Sequence, residues 1–188
     1  MMQRIADASP LPKARITGVV YLLYFLTAIF GQFLVGHNVV VCGVAVNLIS
    51  AAFYIAVTVL FYLLFKPVSR RLSLVAALLS LVGCGLMVLN LFHLATAYSP
   101  LIFFGPYCLL IGWLILRSIF LPRFLGVLMV LAGLGWLAVL VPLVAKHLSL
   151  YIEVLGILAE GLLMVWLLVK GVNVERWNQQ AGVRVGSD

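Results

Sequence analysis

Residues 16–65 decide the fold and read ITGVVYLLYFLTAIFGQFLVGHNVVVCGVAVNLISAAFYIAVTVLFYLLF. These fifty residues contain no Asp, Glu, Lys or Arg, and two more uncharged stretches follow at residues 72–116 and 124–145. A transmembrane helix needs about 20 predominantly apolar residues to cross a hydrocarbon core about 30 Å thick. Each stretch is one or two times that length. The sequence therefore predicts an integral membrane protein with several spans.

The composition excludes a soluble domain. Hydrophobic residues make up 65% of the chain and charged residues 9%, whereas soluble domains average about 45–50% and about 25%. The net charge of +7 does not indicate nucleic-acid binding, because the basic residues stand singly or in pairs at the ends of apolar runs instead of sharing one accessible face. We therefore expect the lipid bilayer as the surroundings of the chain, and no nucleic-acid partner.

The predicted fold class is all-α, a polytopic bundle of six transmembrane helices whose ends are marked by turn residues. Prolines inside the apolar runs predict a bend at Pro106 and a kink near Pro142. We expect a cytoplasmic N-terminal segment at residues 1–15, a six-span domain at 16–172 and a cytoplasmic tail at 173–188, frayed beyond Trp177. The expected spans are residues 16–35, 39–65, 72–95, 101–117, 124–145 and 150–170.

The basic residues fall on one side of this map. The chain has twelve Lys and Arg residues, and eleven of them lie in the terminal segments or in the connections that follow the second and fourth spans. The other three connections contain only Lys146. Because loops rich in Lys and Arg stay in the cytoplasm, we expect both termini to be cytoplasmic.

A short motif recurs at the predicted cytoplasmic ends of the second, fourth and sixth spans. It consists of an aromatic residue, three apolar residues and a base, and it occupies residues 62–66, 113–117 and 166–170. The spacing indicates three tandem helical hairpins, an internal symmetry of the kind found in transporters. The alternative is an aromatic belt with snorkelling bases, which gives any cytoplasmic helix end the same signature.

Two acidic residues lie inside a predicted span, where ionisable side chains are costly and normally face the bundle interior. Glu153 and Glu160 are two helical turns apart and share one face of the sixth span, about 10 Å from each other. Glu160 is expected near the midplane, and Gly156 between the acids leaves room for a neighbouring helix or a ligand. Polar residues of other spans are expected at a similar depth. Together they predict an outward-facing pocket floored by Glu160, with the candidate ligand-binding residues Glu160, Glu153, Asn90, His93, Asn47 and Tyr107.

Each polar residue also has a plainer interpretation. Polar side chains in membranes commonly hydrogen-bond across helices and serve only to hold them together. Asn90 and His93, three residues apart, are expected to share one helical face. A metal site would need His93, His147 and Glu153 to approach one another, but the sequence contains no helical His-x-x-x-His or Glu-x-x-His pair, so we expect no metal. We also expect no cofactor and assign no catalytic residue, since phosphate loops, dinucleotide fingerprints and nucleophile elbows are absent from the sequence.

Several motifs, mostly in the C-terminal half, resemble one protein family. They are ARITGVVYL at residues 14–22, CLLIGWL at 108–114, LPRFLGVL at 121–128 and WLLVKGVNV at 166–174. The resemblance is to the bacterial membrane family known as domain of unknown function 4386. It implies a six- or seven-span protein of the bacterial inner membrane, and no established activity. That family often has an aliphatic residue and a His before the cysteine of the fourth span, where this chain has Pro106 and Tyr107.

Three functions are compatible with these features. The first is the binding or transport of a small ligand or ion in a pocket around Glu160 and Glu153. The second is a structural or accessory role, in which glycine-rich helix faces pack against another copy of the chain or against a partner in a membrane complex. The third is an intramembrane enzyme that uses the two acids and His93 for proton transfer. We rank the functions in this order.

The asymmetry of basic residues generates a topology prediction. Reporter proteins fused after residues 36, 98 and 147 are expected to signal from the outer side of the membrane, because these positions follow the first, third and fifth predicted spans. A cytoplasmic signal from any of the three fusions would contradict the predicted topology.

Overall fold

Helices make up nearly all of the described part of the chain, which in this computed structural model comprises residues 10–94 and 99–182. Within these ranges there is no strand, which confirms the all-α fold class. An apolar chain in lipid has no water to satisfy its backbone, and helices satisfy it internally. The helices are α1 (Pro10–Gly36), α2 (Val40–Phe65), α3 (Arg70–Leu91), α4 (Leu101–Arg117), α5 (Arg123–Ala138), α6 (Pro142–Val169) and α7 (Val174–Gln180).

Four helices, α1, α2, α3 and α6, are long and apolar enough to cross a membrane. Helices α4 and α5 are also apolar but contain 17 and 16 residues, about 25 Å at 1.5 Å per residue. Many large apolar side chains point away from the bundle and are exposed, among them Ile29, Val41 and Val169. This surface is consistent with a lipid bilayer around the protein. The count of six spans stays a prediction.

The first six helices form a closed ring. Each packs against the next along the chain, and α6 packs back against α1. The closing contact is tight at Gly18 of α1, where an added Cβ would lie 2.6 Å from the backbone nitrogen of Leu168. Because glycine has no side chain, the two helix backbones approach closely here. The ring therefore surrounds a common interior that every one of the six helices reaches.

Glycines also bring α4 and α5 into backbone contact at two levels. A Cβ added to Gly112 would lie 2.8 Å from the carbonyl oxygen of Gly126, and one added to Gly133 would lie 2.8 Å from that of Gly105. On each helix the two glycines are seven residues apart and so share a face. This pair belongs to different predicted hairpins, the second and the third. The arrangement as three hairpins stays a prediction.

The boundary between the fifth and sixth spans was predicted wrongly. Helix α5 ends at Ala138 and α6 begins at Pro142, whereas we expected the fifth span to extend to residue 145 and the sixth to begin at 150. Pro142 occupies the first turn of α6. Backbone N–H groups have no acceptor within the helix there, so the missing N–H of proline costs no hydrogen bond. Proline therefore begins a helix here instead of kinking one. Pro106, by contrast, lies inside α4 as expected.

Helix α7 corrects the expectation that the tail frays beyond Trp177. The Trp177 Nε1–H donates a hydrogen bond to the Leu64 carbonyl oxygen (3.1 Å), and the Gln180 Nε2–H donates one to the Arg117 carbonyl oxygen (3.2 Å). The Gln180 Oε1 also accepts from the backbone N–H of Ile119 (3.1 Å). These bonds satisfy carbonyls at the ends of α2 and α4 that no intrahelical donor reaches. Residues 183–188 lie outside the described part.

The new boundary also refines the topology experiment. Residue 147 lies inside α6, so the third reporter belongs after Leu140, in the connection between α5 and α6. A fusion after Val68, between α2 and α3, is the matched control and is expected to signal from the cytoplasm because that connection carries basic residues.

Close packing at the glycines leads to a stability prediction. We expect Gly126→Ala to destabilise the protein by about 1–3 kcal/mol, because the new Cβ would meet backbone atoms of Gly112 and Leu116 that have little freedom to move. Gly85→Ala is the matched control, since nothing lies within 4 Å of its added Cβ. The control is expected to unfold at the same midpoint as the wild type or at a higher one. Thermal unfolding in detergent measures both, and equal midpoints for the two variants would contradict the prediction.

Candidate functional site

A cavity of about 200 Å³ lies inside the ring. Every helix of the ring contributes to its wall, because the ring encloses one shared interior. The lining residues are Tyr24 of α1, Tyr54 of α2, Met87 of α3, Leu101 and Phe104 of α4, Trp136 of α5 and Glu160 of α6.

The cavity lies toward the ends of the helices that adjoin the predicted outer connections. Met87, Leu101 and Trp136 are each within four residues of such a helix end. Glu160 lies far from the outer end of its own helix, eighteen residues after Pro142, instead of the ten residues that we expected. It is nine residues from the last residue of α6, about 14 Å. That distance is about half the thickness of a hydrocarbon core.

Glu160 has two polar contacts, on two other helices. The Tyr21 hydroxyl donates a hydrogen bond to its Oε2 at 2.6 Å, and the Cys108 thiol donates a weak one to its Oε1 at 4.0 Å. The first length is that of a short hydroxyl–carboxyl hydrogen bond. Within the described residues, Glu160 pairs with no Lys, Arg or His. The side chain is half-buried, and part of its surface faces the cavity.

Four tyrosines, Tyr21, Tyr24, Tyr54 and Tyr107, form a cluster beside Glu160. The ring of Tyr54 is central, with centroid distances of 4.6 Å to Tyr24, 6.4 Å to Tyr21 and 6.2 Å to Tyr107. Such distances and tilted or edge-on arrangements are favourable for aromatic rings. The cluster joins α1, α2 and α4 around the acid.

The structure brings Tyr107, one of the predicted site residues, into this cluster. Its side chain is buried, 2% exposed, and packs edge-on against Tyr54. Tyr54 lines the cavity and Tyr107 does not. Tyr107 therefore contacts a residue of the cavity wall without belonging to the wall.

Glu153 lies away from the cavity although it is two turns from Glu160. Its side chain is exposed. Gly135 of α5 packs on Ile152, where an added Cβ would lie 2.9 Å from the Ile152 Cγ2, and α5 ends three residues later at Ala138. Most of α6 before Ile152 therefore extends beyond α5. The neighbouring helix α5 occupies the space at Gly156, which is one of the two occupants that we expected. The Cε2 of Trp136 would lie 2.9 Å from an added Cβ.

The two asparagines of the predicted site also lie outside the cavity wall. Asn47 is buried, donates from its Nδ2 to the Gly43 carbonyl oxygen at 2.9 Å, and lies against Gly31 of α1. It therefore fills space between α1 and α2, and its hydrogen bond stays within α2. Asn90 is half-buried and sits one turn beyond Met87, toward the outer end of α3.

His93 is not on a helical face with Asn90, contrary to our expectation. Helix α3 ends at Leu91, and His93 has a φ of 58°, in the left-handed region. The His93 N–H donates to the Asn90 carbonyl at 3.0 Å, and the Leu94 N–H donates to that of Leu89 at 2.9 Å. This is the Schellman motif that ends many helices. The imidazole is exposed and outside the cavity.

No three His, Cys, Asp or Glu side chains come together as a metal site in residues 10–94 and 99–182. His147 and Glu153 are both exposed on the projecting part of α6, and His93 is exposed at the end of α3.

Sequence reasoning missed most of the cavity wall, namely Tyr24, Tyr54, Phe104 and Trp136, together with the hydrogen-bond donor Tyr21. One signal was available. Tyrosines of membrane proteins concentrate at the two interfaces, whereas Tyr21 and Tyr54 lie well inside their helices. A tyrosine at that depth needs a partner for its hydroxyl.

Comparisons with known proteins identify relatives without a known activity. Residues 96–171 match the family described as "Domain of unknown function (DUF4386)". An uncharacterised protein of Archaeoglobus fulgidus is 31% identical over 125 residues, which cover 62% of this chain and 76% of the relative. No solved structure matches the chain.

The contact between Tyr21 and Glu160 gives a second stability prediction. We expect Tyr21→Phe to lower the free energy of unfolding by about 1.5–3 kcal/mol, because it removes a hydrogen bond to a carboxylate and keeps the ring. Tyr151→Phe, at an exposed position of α6, is the control and should leave stability unchanged. Unfolding midpoints in detergent provide the measurement, and a neutral Tyr21→Phe would show that the bond adds nothing to stability.

Proposed function

The chain belongs to the family called domain of unknown function 4386, and we propose that it is a six-span membrane protein that binds a small ligand or ion in its central cavity, with Glu160 at the floor. The observation that carries this proposal is the cavity itself, whose wall is built from all six helices of the ring and includes a carboxylate.

The size and lining of the cavity support binding. Protein interiors contain few voids larger than a water molecule, and a cavity of about 150 Å³ accommodates benzene. The cavity here, about 200 Å³, has room for a ligand somewhat larger than that. Small-molecule sites are mostly apolar and aromatic, with a few polar groups that fix orientation. Glu160 and the hydroxyls of Tyr24 and Tyr54 would be those groups.

In the proposed arrangement the protein lies in the inner membrane, and both of its termini are in the cytoplasm. The positions of the basic residues support it, and the cavity then faces the outer side. Helices α4 and α5, although short, stand in the ring between longer neighbours, which supports their being spans. Below Glu160, Leu163 and Leu167 are fully buried. Transport across the membrane would require these side chains to move.

An accessory role is the second candidate, favoured by the projecting part of α6. Leu143, Leu150 and Tyr151 are each about 70% exposed there, beyond the end of α5. Another copy of the chain or a different membrane protein would bury this surface. An enzyme is not proposed, because His93 lies outside the cavity that holds Glu160.

A ligand screen with matched acid variants tests the proposed function. Small molecules are added to the purified full-length protein, and a ligand at about 100 times its Kd is expected to stabilise the wild type by about 2.7 kcal/mol. Glu160→Gln should fold and lose this stabilisation, because Gln keeps the shape of the side chain and removes its charge.

Two further variants separate a functional acid from a structural one. Glu153→Gln removes the exposed acid of the same helix and should respond to ligands as the wild type does. Glu160→Leu should unfold more easily than Glu160→Gln, because it leaves the Tyr21 hydroxyl without its acceptor. If Glu160→Gln still responds fully to every ligand that stabilises the wild type, Glu160 is structural and the pocket hypothesis is wrong.

A further inference from the structure

We propose that the ligand of this cavity is a small organic cation, an alkylated ammonium compound. This inference rests on the proposed function and names the chemical class that the site would take. It follows from two features of the wall. The first is an acid that pairs with no basic residue in the described part of the chain, and the second is a set of aromatic rings from four helices.

Glu160 favours a cationic ligand. Glu160 is held by a hydroxyl and a thiol, from Tyr21 and Cys108, and by no basic residue in residues 10–94 and 99–182. Buried charges in proteins are normally paired. A bound cation would complete the pair inside the cavity, whereas an anion would be repelled by the same carboxylate.

The aromatic rings of the wall also favour a cationic ligand. Tyr24, Tyr54, Phe104 and Trp136 line the cavity and come from α1, α2, α4 and α5. The face of an aromatic ring carries partial negative charge, and it attracts a cation that lies within about 6 Å of its centroid. The attraction is larger where water is excluded, and enclosure by several rings is how proteins recognise quaternary ammonium groups.

Inorganic cations fit this wall less well. Calcium requires six to eight oxygen ligands, and magnesium demands an octahedral set. The lining offers one carboxylate and the hydroxyls of Tyr24 and Tyr54, and its other members are apolar or aromatic. An ammonium ion that carries alkyl groups needs no such ligand shell. Its methyl groups would contact the rings and Met87 while the charge lies near Glu160.

Sugars and other neutral polar ligands are also disfavoured by the lining. Several hydroxyls would enter a space in which Leu101, Met87 and Phe104 offer no hydrogen bond, and each unpaired group would lower affinity. The volume of about 200 Å³ suits a compact cation such as choline.

The test compares choline with its neutral carbon isostere, in which a tert-butyl group replaces the trimethylammonium group. Binding of each to the purified full-length protein in lipid nanodiscs is measured by calorimetry. Because the two molecules have nearly the same shape, charge alone separates them. We expect the wild type to bind choline at least tenfold more tightly than the isostere.

Substitutions at Glu160 and Tyr24 test whether the acid and the aromatic rings cause the preference for choline over the isostere. Glu160→Gln is expected to weaken choline binding at least tenfold and to leave the isostere nearly unaffected. Tyr24→Leu should weaken choline binding several-fold, whereas Tyr24→Phe, which keeps the ring, should bind choline as the wild type does. Both variants should fold, because Tyr24 is only half-buried. Glu153→Gln is the control and should bind as the wild type does.

The outcomes separate this inference from the proposed function. If choline and the isostere bind equally well, the cavity is a ligand site but its preference for cations is refuted. If neither binds while other ligands stabilise the protein in the screen above, the cation class is wrong and the binding function stands. If no ligand of any class binds, both fail.

Discussion

The contact between the first and the last helix of the ring determines the remaining architecture. Tyr21 and Glu160 are 139 residues apart in sequence and are joined by a hydrogen bond of 2.6 Å. Below it, Gly18 allows the backbones of α1 and α6 to meet. Without this closure the other five contacts would leave an open arc of helices, and the acid would face lipid, where a charged carboxylate is costly.

Dense packing at two other places in the ring contrasts with the cavity. On the α4–α5 side, glycines let backbone meet backbone, and below Glu160 the aliphatic side chains of Ile111, Leu114 and Leu163 are almost fully buried. The cavity is lined instead by aromatic rings, those of Tyr24, Tyr54, Phe104 and Trp136. The interior therefore changes from a closely packed aliphatic part to an aromatic part around the cavity, and Glu160 lies at the transition.

The same transition connects the architecture with the proposed function. Glu160 lines the cavity, and the hydroxyl of Tyr21 and the thiol of Cys108 hold its side chain in place. At the opposite end of the bundle, α7 ties the ends of α2 and α4 together through Trp177 and Gln180. That end is thus reinforced by hydrogen bonds between α7 and the neighbouring helix ends.

The amino-acid sequence by itself determined the all-α fold class and the apolar character of the helices, because hydrophobic length is a local property that any apolar segment displays. It also singled out Glu160 as an acid inside a span, because the cost of such an acid is a local property as well. It also located Pro106 within a helix. It misplaced the beginning of α6 and put Glu153, Asn47 and His93 into the pocket. Only the tertiary structure decided which face of each helix meets the interior, because that depends on where α5 ends, on which glycines permit close approach and on how the ring closes. The periodicity of a single span does not specify these contacts between helices. For that reason only the arrangement of all six helices placed the tyrosines around Glu160.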